Sequence, residues 1–425
     1  MSKKNHLILS GYDRELLAGE RGPGAQMAMR IIVRMAEILG VERLIDIEAA
    51  HIDSSLYIGQ ATLEFAEKLV DLGAKVAVPS TLNVSGVDEH GWMHWSVPKD
   101  WAEKAQRQMR AYQEMGCIPT WTCAPYQTEF KPKFGQQIAW GESNAIVFAN
   151  SIIGARTERY PDLLDICAAI TARVPAAGLH LEENRAGHLL LRLREVPERV
   201  QRHESFYPVL GHLMGKVAGE KNPVVVGMEV HPEWDQLKAL GAAAASSGTV
   251  GLFHLVGITP EAPTLEAALH GNEPEQEIDV TMDDLREAWK ELSTAEGREL
   301  DLVVLGCPHF SLAEFERLGR LFDGKEKHEG VEFLVNSSRA MKALAEEAGY
   351  LRSLDAFGGV VTVDTCPLAT PMLSPEVEMV MTNSAKFAYY APGMLDERVV
   401  FGTLEDCVIS AIDGRVVRDE SLWRT

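Results

Sequence analysis

The sequence predicts an α/β protein with mostly parallel sheets that are covered by helices. Short apolar runs rich in β-branched residues alternate along the chain with longer stretches of helical periodicity. The 425 residues are 46% hydrophobic and 24% charged, a composition that excludes disordered, collagenous and coiled-coil proteins. At roughly 100–200 residues per domain, this length predicts two or three domains.

The individual elements follow from these patterns. Strands are predicted at residues 44–47, 75–78, 224–230, 249–256, 302–305, 333–335 and 359–363. Amphipathic helices are predicted at residues 25–39, 61–72, 101–115, 281–292 and 338–348, and an Ala-rich helix at 239–245. Residues 195–222 are polar and charged, so we place a boundary near residue 215, which gives one α/β lobe of residues 1–215 and a second of residues 216–425.

The charge of the chain limits its partners. The formal net charge is −21, from 62 acidic and 41 basic residues, and this field repels nucleic-acid backbones and anionic lipid. The uncharged run 239–260 is long enough to span a bilayer, but its glycines and His254 argue against a membrane helix. The first residues lack the apolar core of a signal peptide. We therefore expect a cytoplasmic protein that binds neither nucleic acid nor membranes.

Polar clusters follow several predicted strands at their carboxyl ends, where functional groups gather in parallel sheets. In the first lobe these groups are His51, Asp53 and Ser54 after residues 44–47, and Thr81 and Asn83 after residues 75–78. In the second lobe Cys307 follows residues 302–305, and Cys366 follows residues 359–363. The pattern predicts a functional site at these strand ends.

Three of the six cysteines are candidate metal ligands. Cys123 lies in a turn-like loop, and Cys307 and Cys366 each precede a proline, which stiffens the loop. Buried apolar thiols would give the same spacing, so the pattern alone leaves both interpretations open. As ligands, three thiolates suit an iron–sulfur cluster with one open iron site, whereas zinc more often uses a CxxC pair, which the sequence lacks. The other three cysteines lie in apolar patterns and are expected to be structural.

Residues 140–160 combine amides and hydroxyls with an arginine around a short apolar helix. The candidates for binding a substrate carboxylate are Ser143, Asn150, Ser151 and Arg156. A helix with polar caps is the alternative. The GESNA motif is close to the GxSxG elbow of serine hydrolases, but it lacks the final glycine and no strand is predicted before it, so we exclude that class. Lys386 is a candidate for substrate contact or proton handling, and an exposed lysine is its alternative.

Nine segments, in order along the chain, resemble those of one family, aconitase X, the short branch of the aconitase superfamily. They are GERGPGAQMAMRI, AAHIDSSLY, VPSTLN, TCAPY, WGESNAIVFANSIIGART, LVGITPEAPT, LGCPH, DTCP and TNSAKFAYYAPG. The resemblance implies aconitase-like layered α/β/α domains around a central iron–sulfur cleft. It also implies that Cys123, Cys307 and Cys366 hold the cluster. The cluster type (4Fe-4S, 2Fe-2S or a simpler iron site) stays open, because the CxxC pair of the long aconitases is missing.

The resemblance implies an iron–sulfur hydro-lyase with one of two substrates. One branch of the family dehydrates cis-3-hydroxy-L-proline to a pyrroline-2-carboxylate, and the other dehydrates mevalonate 5-phosphate. Basic residues in the matching segments are few, chiefly Arg21, Arg156 and Lys386, which favours the proline derivative. A non-catalytic iron-binding subunit is the alternative from another class, and the intact cysteine set argues against it.

On the leading hypothesis, Arg156 and its polar neighbours hold the substrate carboxylate while the cluster iron polarises the leaving hydroxyl. The catalytic candidates are His51, Asp53, Ser54 and Lys386, and the substrate-binding candidates are Thr81, Asn83, Ser143, Asn150, Ser151 and Arg156.

We find no counterpart in the sequence of the small swivelling domain that some members of the family carry. We therefore expect a partner subunit of about 100–150 residues. Its closure would exclude water from the cleft and complete the site. The resemblance implies that this domain supplies a serine base, and Ser54, Ser143 or Ser151 of this chain is the alternative.

Overall fold

Three parallel β-sheets and one short antiparallel pair of strands make up the strand content of the part of the chain that the structure describes. The structure, a computed structural model, describes residues 7–295, 297, 299–322 and 324–424. Helices connect the strands and pack on the sheets. The predicted α/β class with mostly parallel sheets is confirmed.

The amino-terminal part contains a three-stranded parallel sheet and the antiparallel pair. Its helices are α1 (Gly11–Ala18), α2 (Pro23–Leu39), α3 (Gln60–Asp71), α4 (Lys99–Glu114), α5 (Ser143–Phe148) and α6 (Leu164–Thr171). Its strands are β1 (Leu44–Asp46), β2 (Ala49–Ile52), β3 (Ser80–Leu82), β4 (Ile138–Trp140) and β5 (Arg173–Pro175). The sheet has the order β3-β2-β4, and β1 pairs with β5.

Local sequence explains where these elements begin. Pro23 starts α2 because its fixed φ suits the first helical turn, and α2 buries Ala28, Ile32 and Ala36 at helical spacing. Short 3-10 turns lie at Asp53–Ser55, Trp92–His94, Pro125–Gln127, Gly178–His180 and Glu182–Asn184, and a π-helical segment at Ala149–Ile153 continues α5.

The middle part is a four-stranded parallel sheet of order β8-β7-β6-β9. Its elements are β6 (Leu189–Leu193), α7 (Glu198–Gln201), α8 (Phe206–Ala218), β7 (Pro223–Val226), α9 (Trp234–Ser247), β8 (His254–Leu255), α10 (Leu265–Ala268), β9 (Gln276–Val280) and α11 (Met282–Glu291). The Ala-rich helix predicted at 239–245 lies inside α9, which packs against α8, α5 and α15 (Ala385–Met394). Gly211 of α8 permits this packing, because a Cβ there would lie 2.2 Å from the Leu240 carbonyl oxygen.

The carboxyl-terminal part is a five-stranded parallel sheet of order β12-β11-β10-β13-β14. Its strands are β10 (Leu302–Leu305), β11 (Glu332–Asn336), β12 (Val360–Thr362), β13 (Met379–Thr382) and β14 (Arg398–Phe401). Besides α15, its helices are α12 (Leu312–Phe322), α13 (Arg339–Glu347), α14 (Tyr350–Phe357) and α16 (Leu404–Asp413). β10 is the central strand and is completely buried, as its run of Leu and Val predicts.

Two strand predictions are wrong, and both affect the site. Residues 75–78 form no strand, because their amides do not pair with a neighbouring strand. The Val76 N–H donates to the Met115 carbonyl and the Ala77 N–H to the Ala169 carbonyl, each near the end of a helix. The strand lies a few residues later, as β3. β4 immediately precedes the GESNA motif, where the sequence predicts no strand.

The lobe division into residues 1–215 and 216–425 stays a prediction. Residue 215 lies within α8, and β6, which precedes α8, belongs to the same sheet as β7, β8 and β9. In the described residues no helix combines the length and the apolar character needed to cross a membrane.

Candidate active site

The carboxyl ends of the three-stranded and five-stranded sheets meet at a cavity of about 230 Å³. The first sheet and its connections contribute Asp53, Asn83, Cys123, Glu142 and Ser143, and the second contributes Cys307, His309, Asn336, Thr365, Cys366 and Lys386. Residues just beyond parallel strands project from the same edge of a sheet, so two facing edges can surround one cleft. A larger cavity of about 530 Å³ elsewhere, lined in part by Met93 and Lys327, contains none of the predicted site residues.

Asp53 and Asn83 form a hydrogen-bonded pair on the cavity wall. They follow β2 and β3, which are adjacent and parallel, so they lie side by side. Asn83 Nδ2 donates to Asp53 Oδ1. Burial and the negative charges of Glu142 and Asp165 raise the pKa of Asp53 to about 7, although the Asn83 hydrogen bond opposes this shift. A carboxyl group that titrates near neutral pH can give or accept a proton.

His51 and Thr81 come together inside the sheet and do not line the cavity. The His51 Nδ1 atom lies 2.8 Å from Thr81 Oγ1, and the two residues are register partners in β2 and β3. The His51 ring also contacts Trp140. Burial lowers the pKa of His51 to about 3, so its imidazole is neutral. The shift of β3 toward the carboxyl terminus, relative to the prediction, moves Thr81 from the strand end into the strand.

Ser54 supports the turn that carries Asp53. Its hydroxyl donates to Asp165 Oδ1 and accepts the Leu163 N–H at 2.8 Å. Asp165 Oδ2 accepts the Asp53 N–H at 2.6 Å and the Ser54 N–H at 3.0 Å. Ser54 is buried and absent from the residues that line the cavity. Its hydroxyl is thus committed to bonds within the protein.

Lys386 and Glu142 form a buried ion pair at the cavity. The Lys386 Nζ lies 2.5 Å from Glu142 Oε1 and 3.5 Å from Ser143 Oγ, and the two charged side chains are 12% and 7% exposed. Burial alone would lower the pKa of Lys386, but the charge of Glu142 raises it well above its usual range. Lys386 is therefore cationic, and it is not the exposed lysine of the alternative interpretation.

The structure does not bring Asn150, Ser151 and Arg156 to this cavity. Asn150 Nδ2 donates to the carbonyls of Thr157 and Gly251, at 3.0 and 2.9 Å, and Ser151 Oγ accepts the Phe253 N–H at 2.9 Å. The Arg156 guanidinium pairs with Glu182. Asn150 and Ser151 thus join the π-helical segment to the residues just before β8, and Arg156 is paired outside the cavity.

The three cysteines singled out as ligands all line the cavity, although they are far apart in sequence. Cys307 follows β10, Cys366 follows β12, and Cys123 lies in the loop between α4 and β4. The Cys123 Sγ accepts the His309 N–H at 3.3 Å. Burial, reinforced by the charge of Glu142, holds the pKa of Cys123 well above its usual range, and burial raises the pKa of Cys307 to about 12. Cys117, Cys167 and Cys407 are buried elsewhere, as expected.

Three thiols that line one cavity are a donor set that can hold an iron–sulfur cluster. Within the described ranges, no group of three or more His, Cys, Asp or Glu side chains is close enough to hold one ion. In a 4Fe-4S cluster each thiolate binds a different iron, so the ligands stand further apart than around a single ion.

Two residues to which the sequence analysis assigned no role also shape the site. Glu142 accepts the Ala145 N–H at 2.8 Å and so caps α5 while it pairs with Lys386. His309 contacts Thr122 through Nδ1 at 3.1 Å, and burial lowers its pKa to about 4. A prediction of β4 would have indicated Glu142, because it would have placed this carboxylate beyond a strand end. His309 could have been selected from the LGCPH motif.

Comparison with known proteins gives a consistent result. Family models described as the first, second and third domains of aconitase X match residues 6–183, 187–290 and 300–413. A protein from Pseudomonas aeruginosa named cis-3-hydroxy-L-proline dehydratase is 46% identical over 98% of this chain and 72% of its own length. A protein of the same name from Hypocrea jecorina is 46% identical over 96% of this chain and 69% of its own length. A phosphomevalonate dehydratase large subunit from Methanothermobacter thermautotrophicus is 38% identical over 91% of this chain and 94% of its own length.

A solved structure shares the fold. The crystal structure of Thermococcus kodakaraensis aconitase X in its holo-form superposes with a TM-score of 0.85 at 32% identity, covering 95% of this chain and all of that one. The three matched domains span nearly the whole sequence, and they carry the cysteines that meet at the cavity. The chain belongs to the aconitase X family.

Proposed function

We propose that this chain is the large, cluster-binding subunit of a hydro-lyase that dehydrates cis-3-hydroxy-L-proline to a pyrroline-2-carboxylate. The observation that carries the proposal is the convergence of three thiols with Asp53 and the Lys386–Glu142 ion pair on one cavity. The names of the relatives at 46% identity support the same reaction and substrate.

The charge of the cavity supports an amino acid substrate over a phosphate ester. Lys386 is the cation among the residues that line it, and Glu142 already neutralises that charge. A hydroxyproline zwitterion carries no net charge, so one paired lysine suffices for its carboxylate. Mevalonate 5-phosphate carries a carboxylate and a phosphate, and binding it would call for further cationic groups.

The side chains suggest a division of roles. Lys386 and Ser143 bind the substrate carboxylate, and Glu142 fixes the position of the Lys386 ammonium group. Asp53, oriented by Asn83, protonates the departing 3-hydroxyl, because a carboxyl group with a pKa near 7 is still partly protonated at neutral pH. An iron–sulfur cluster held by the three thiolates would supply Lewis-acid polarisation of that hydroxyl.

We also propose that a small swivelling subunit covers the cavity and supplies the base that removes the proton next to the carboxylate. Several relatives are named large subunits, and the match leaves part of the length of both hydroxyproline dehydratases unmatched. Of the internal alternatives Ser54, Ser143 and Ser151, only Ser143 lines the cavity.

Six free thiols fit a reducing compartment, so we assign the protein to the cytoplasm.

Mevalonate 5-phosphate is the second candidate substrate. The specific observation in its favour is that this chain covers 94% to 99% of the length of three phosphomevalonate dehydratase large subunits. An assay of both compounds with anaerobically prepared protein, with and without the small subunit, separates the two. We expect hydroxyproline to react and to require the partner. Faster turnover of mevalonate 5-phosphate would contradict the substrate assignment, and full activity of the isolated chain would contradict the partner-supplied base.

Cysteine variants test the cluster site. Cys123→Ser, Cys307→Ser and Cys366→Ser should each lose most of their iron and visible absorption, because each removes one thiolate from the cavity. Cys407→Ser is the matched control, since Cys407 is a buried thiol remote from the cavity and should leave the iron content unchanged. Equal iron in all four variants would remove the basis of the proposal.

A further inference from the structure

Arg339, the first residue of α13, makes an unusual set of contacts outside the cavity. Its guanidinium makes a bidentate contact with the Asp364 carboxylate, in which Nε lies 2.6 Å from Oδ1 and a terminal nitrogen lies 2.6 Å from Oδ2. The same terminal nitrogen lies 2.6 Å from Glu89 Oε2. Asp364 is fully buried, whereas the Arg339 side chain is 36% exposed. A bidentate arginine–carboxylate contact fixes both the distance and the direction of its partner.

Asp364 stands at a special point of the backbone, two residues before Cys366. Its φ is +64°, a left-handed conformation that residues with a side chain seldom adopt, although Asn and Asp do so more often than the others. The chain turns here from β12 into the loop that holds Cys366. Without outside support Asp364 would favour the ordinary conformations with negative φ, and the loop that follows would point in another direction.

The support comes from the amino-terminal part of the chain as well as from α13. The Asp364 carbonyl accepts the Ser85 N–H at 2.6 Å, and its carboxylate accepts the Glu89 N–H at 3.3 Å. Ser85 and Glu89 lie in the segment that follows β3 and begins with Asn83. The contacts of Asp364 therefore hold the Cys366 loop against the segment that carries one wall of the cavity.

We propose that Arg339 is a positioning residue for Cys366: by holding Asp364 in its left-handed conformation, it sets the direction of the Cys366 thiol relative to Cys123 and Cys307. Only the consequence of this positioning for cluster assembly rests on the proposed function, in which Cys366 is a cluster ligand. The effect on the thiol itself is a property of the iron-free chain.

The test measures how fast each thiol is alkylated in the iron-free chain, by mass spectrometry of the peptides that contain Cys123, Cys307 and Cys366. In Arg339→Gln we expect alkylation of Cys366 to rise about tenfold, because the loop opens more often once the charged fork is lost. The other two thiols should change by less than about twofold, since local opening is confined to its own segment. Arg352→Gln, which removes an exposed arginine from neighbouring α14, is the matched control and should change none of them.

Arg339→Lys guards against simple misfolding, because it keeps the positive charge but not the planar fork. We expect its Cys366 alkylation to lie between those of wild type and Arg339→Gln, with an unchanged Tm. Unchanged alkylation of Cys366 in Arg339→Gln would overturn the proposal. An equal rise for all three thiols with a lower Tm would also overturn it, because that result describes general loosening.

Iron reconstitution then separates this inference from the proposed function. If wild type binds iron, Arg339→Gln should retain less of it per chain and show an altered visible circular dichroism spectrum. If wild type binds no iron while the alkylation of Cys366 still rises in the variant, the proposed cluster fails and the positioning role of Arg339 stands.

Discussion

Replacing Asp53 with asparagine should change how the stability of the iron-free chain depends on pH. Asp53 faces the cavity, accepts a hydrogen bond from Asn83, and has its pKa raised to about 7 by burial and by the charges of Glu142 and Asp165. An asparagine has the same shape, keeps an oxygen for the Asn83 amide, and does not ionise. The difference between the two proteins therefore isolates the titration of one carboxyl group.

The sign follows from proton binding. An aspartate with a pKa of 3.8 in the unfolded chain and about 7 in the folded chain keeps its proton longer in the folded state. The folded state binds more protons at Asp53 between these two values, so the contribution of Asp53 to the stability of wild type falls as the pH rises through that window. The favourable contribution is complete below pH 3.8 and is lost above pH 7.

The pKa difference between the two states corresponds to about 4 kcal/mol as an upper limit, more than half of which develops between pH 5 and pH 8. Asp53 is only half-buried and faces an open cavity, so water screens part of this energy. We therefore expect Asp53→Asn to gain about 1–2 kcal/mol relative to wild type on going from pH 5 to pH 8.

Denaturant unfolding of the iron-free proteins at a series of pH values measures this difference. Asp71→Asn, at the exposed end of α3, is the control and should follow wild type throughout. A constant offset between wild type and Asp53→Asn from pH 5 to pH 8 would refute the reasoning, because it would mean that Asp53 ionises normally. In the loaded enzyme, the same substitution should lower kcat if Asp53 is the proton donor.

Two further pairs of variants test the site. Ser54→Ala should cost about 1–3 kcal/mol of unfolding free energy, because it leaves the buried Asp165 carboxylate without one donor. Ser143→Ala should leave stability nearly unchanged and raise KM about tenfold. A stability loss in Ser143→Ala together with a raised KM in Ser54→Ala would exchange their roles. Gly306→Ala should cost more than about 2 kcal/mol, because Gly306 has a φ of +83° and a Cβ there would lie 2.1 Å from the Asn336 carbonyl oxygen. Gly349→Ala, with a φ of +81° and open space around it, isolates the backbone effect, so equal costs in urea unfolding would exclude the clash.

The sequence alone predicted the fold class, and it singled out the three thiols that line the cavity while leaving their role as ligands open. Alternation of strand and helix patterns predicts parallel sheets, because each crossover helix returns the chain to the same end of the sheet. Cys307 and Cys366 follow strands of one such sheet, and a parallel sheet brings strand ends together however far apart they are in sequence. Cys123 was selected from its turn-like loop, which carries no strand signal of its own, and the family resemblance favoured the ligand interpretation for all three cysteines.

The exact ends of the strands were decided by tertiary structure, and with them the lining of the cavity. β2 and β3 end at Ile52 and Leu82, one residue before Asp53 and Asn83, so His51 and Thr81 stay inside the sheet. Short strands are set by their neighbours in the sheet more than by local propensity, and residues 75–78 have the composition of a strand without strand partners.

The partners of polar side chains were likewise beyond the reach of local patterns. Arg156 and Lys386 both looked like substrate contacts, yet Arg156 pairs with Glu182 away from the cavity while Lys386 lies in it. The sequence by itself determined which residue types are available and which sheets present them. Only the packing of two sheet edges around one cleft decided which of those residues face it, because a side chain's contacts depend on segments that are distant along the chain.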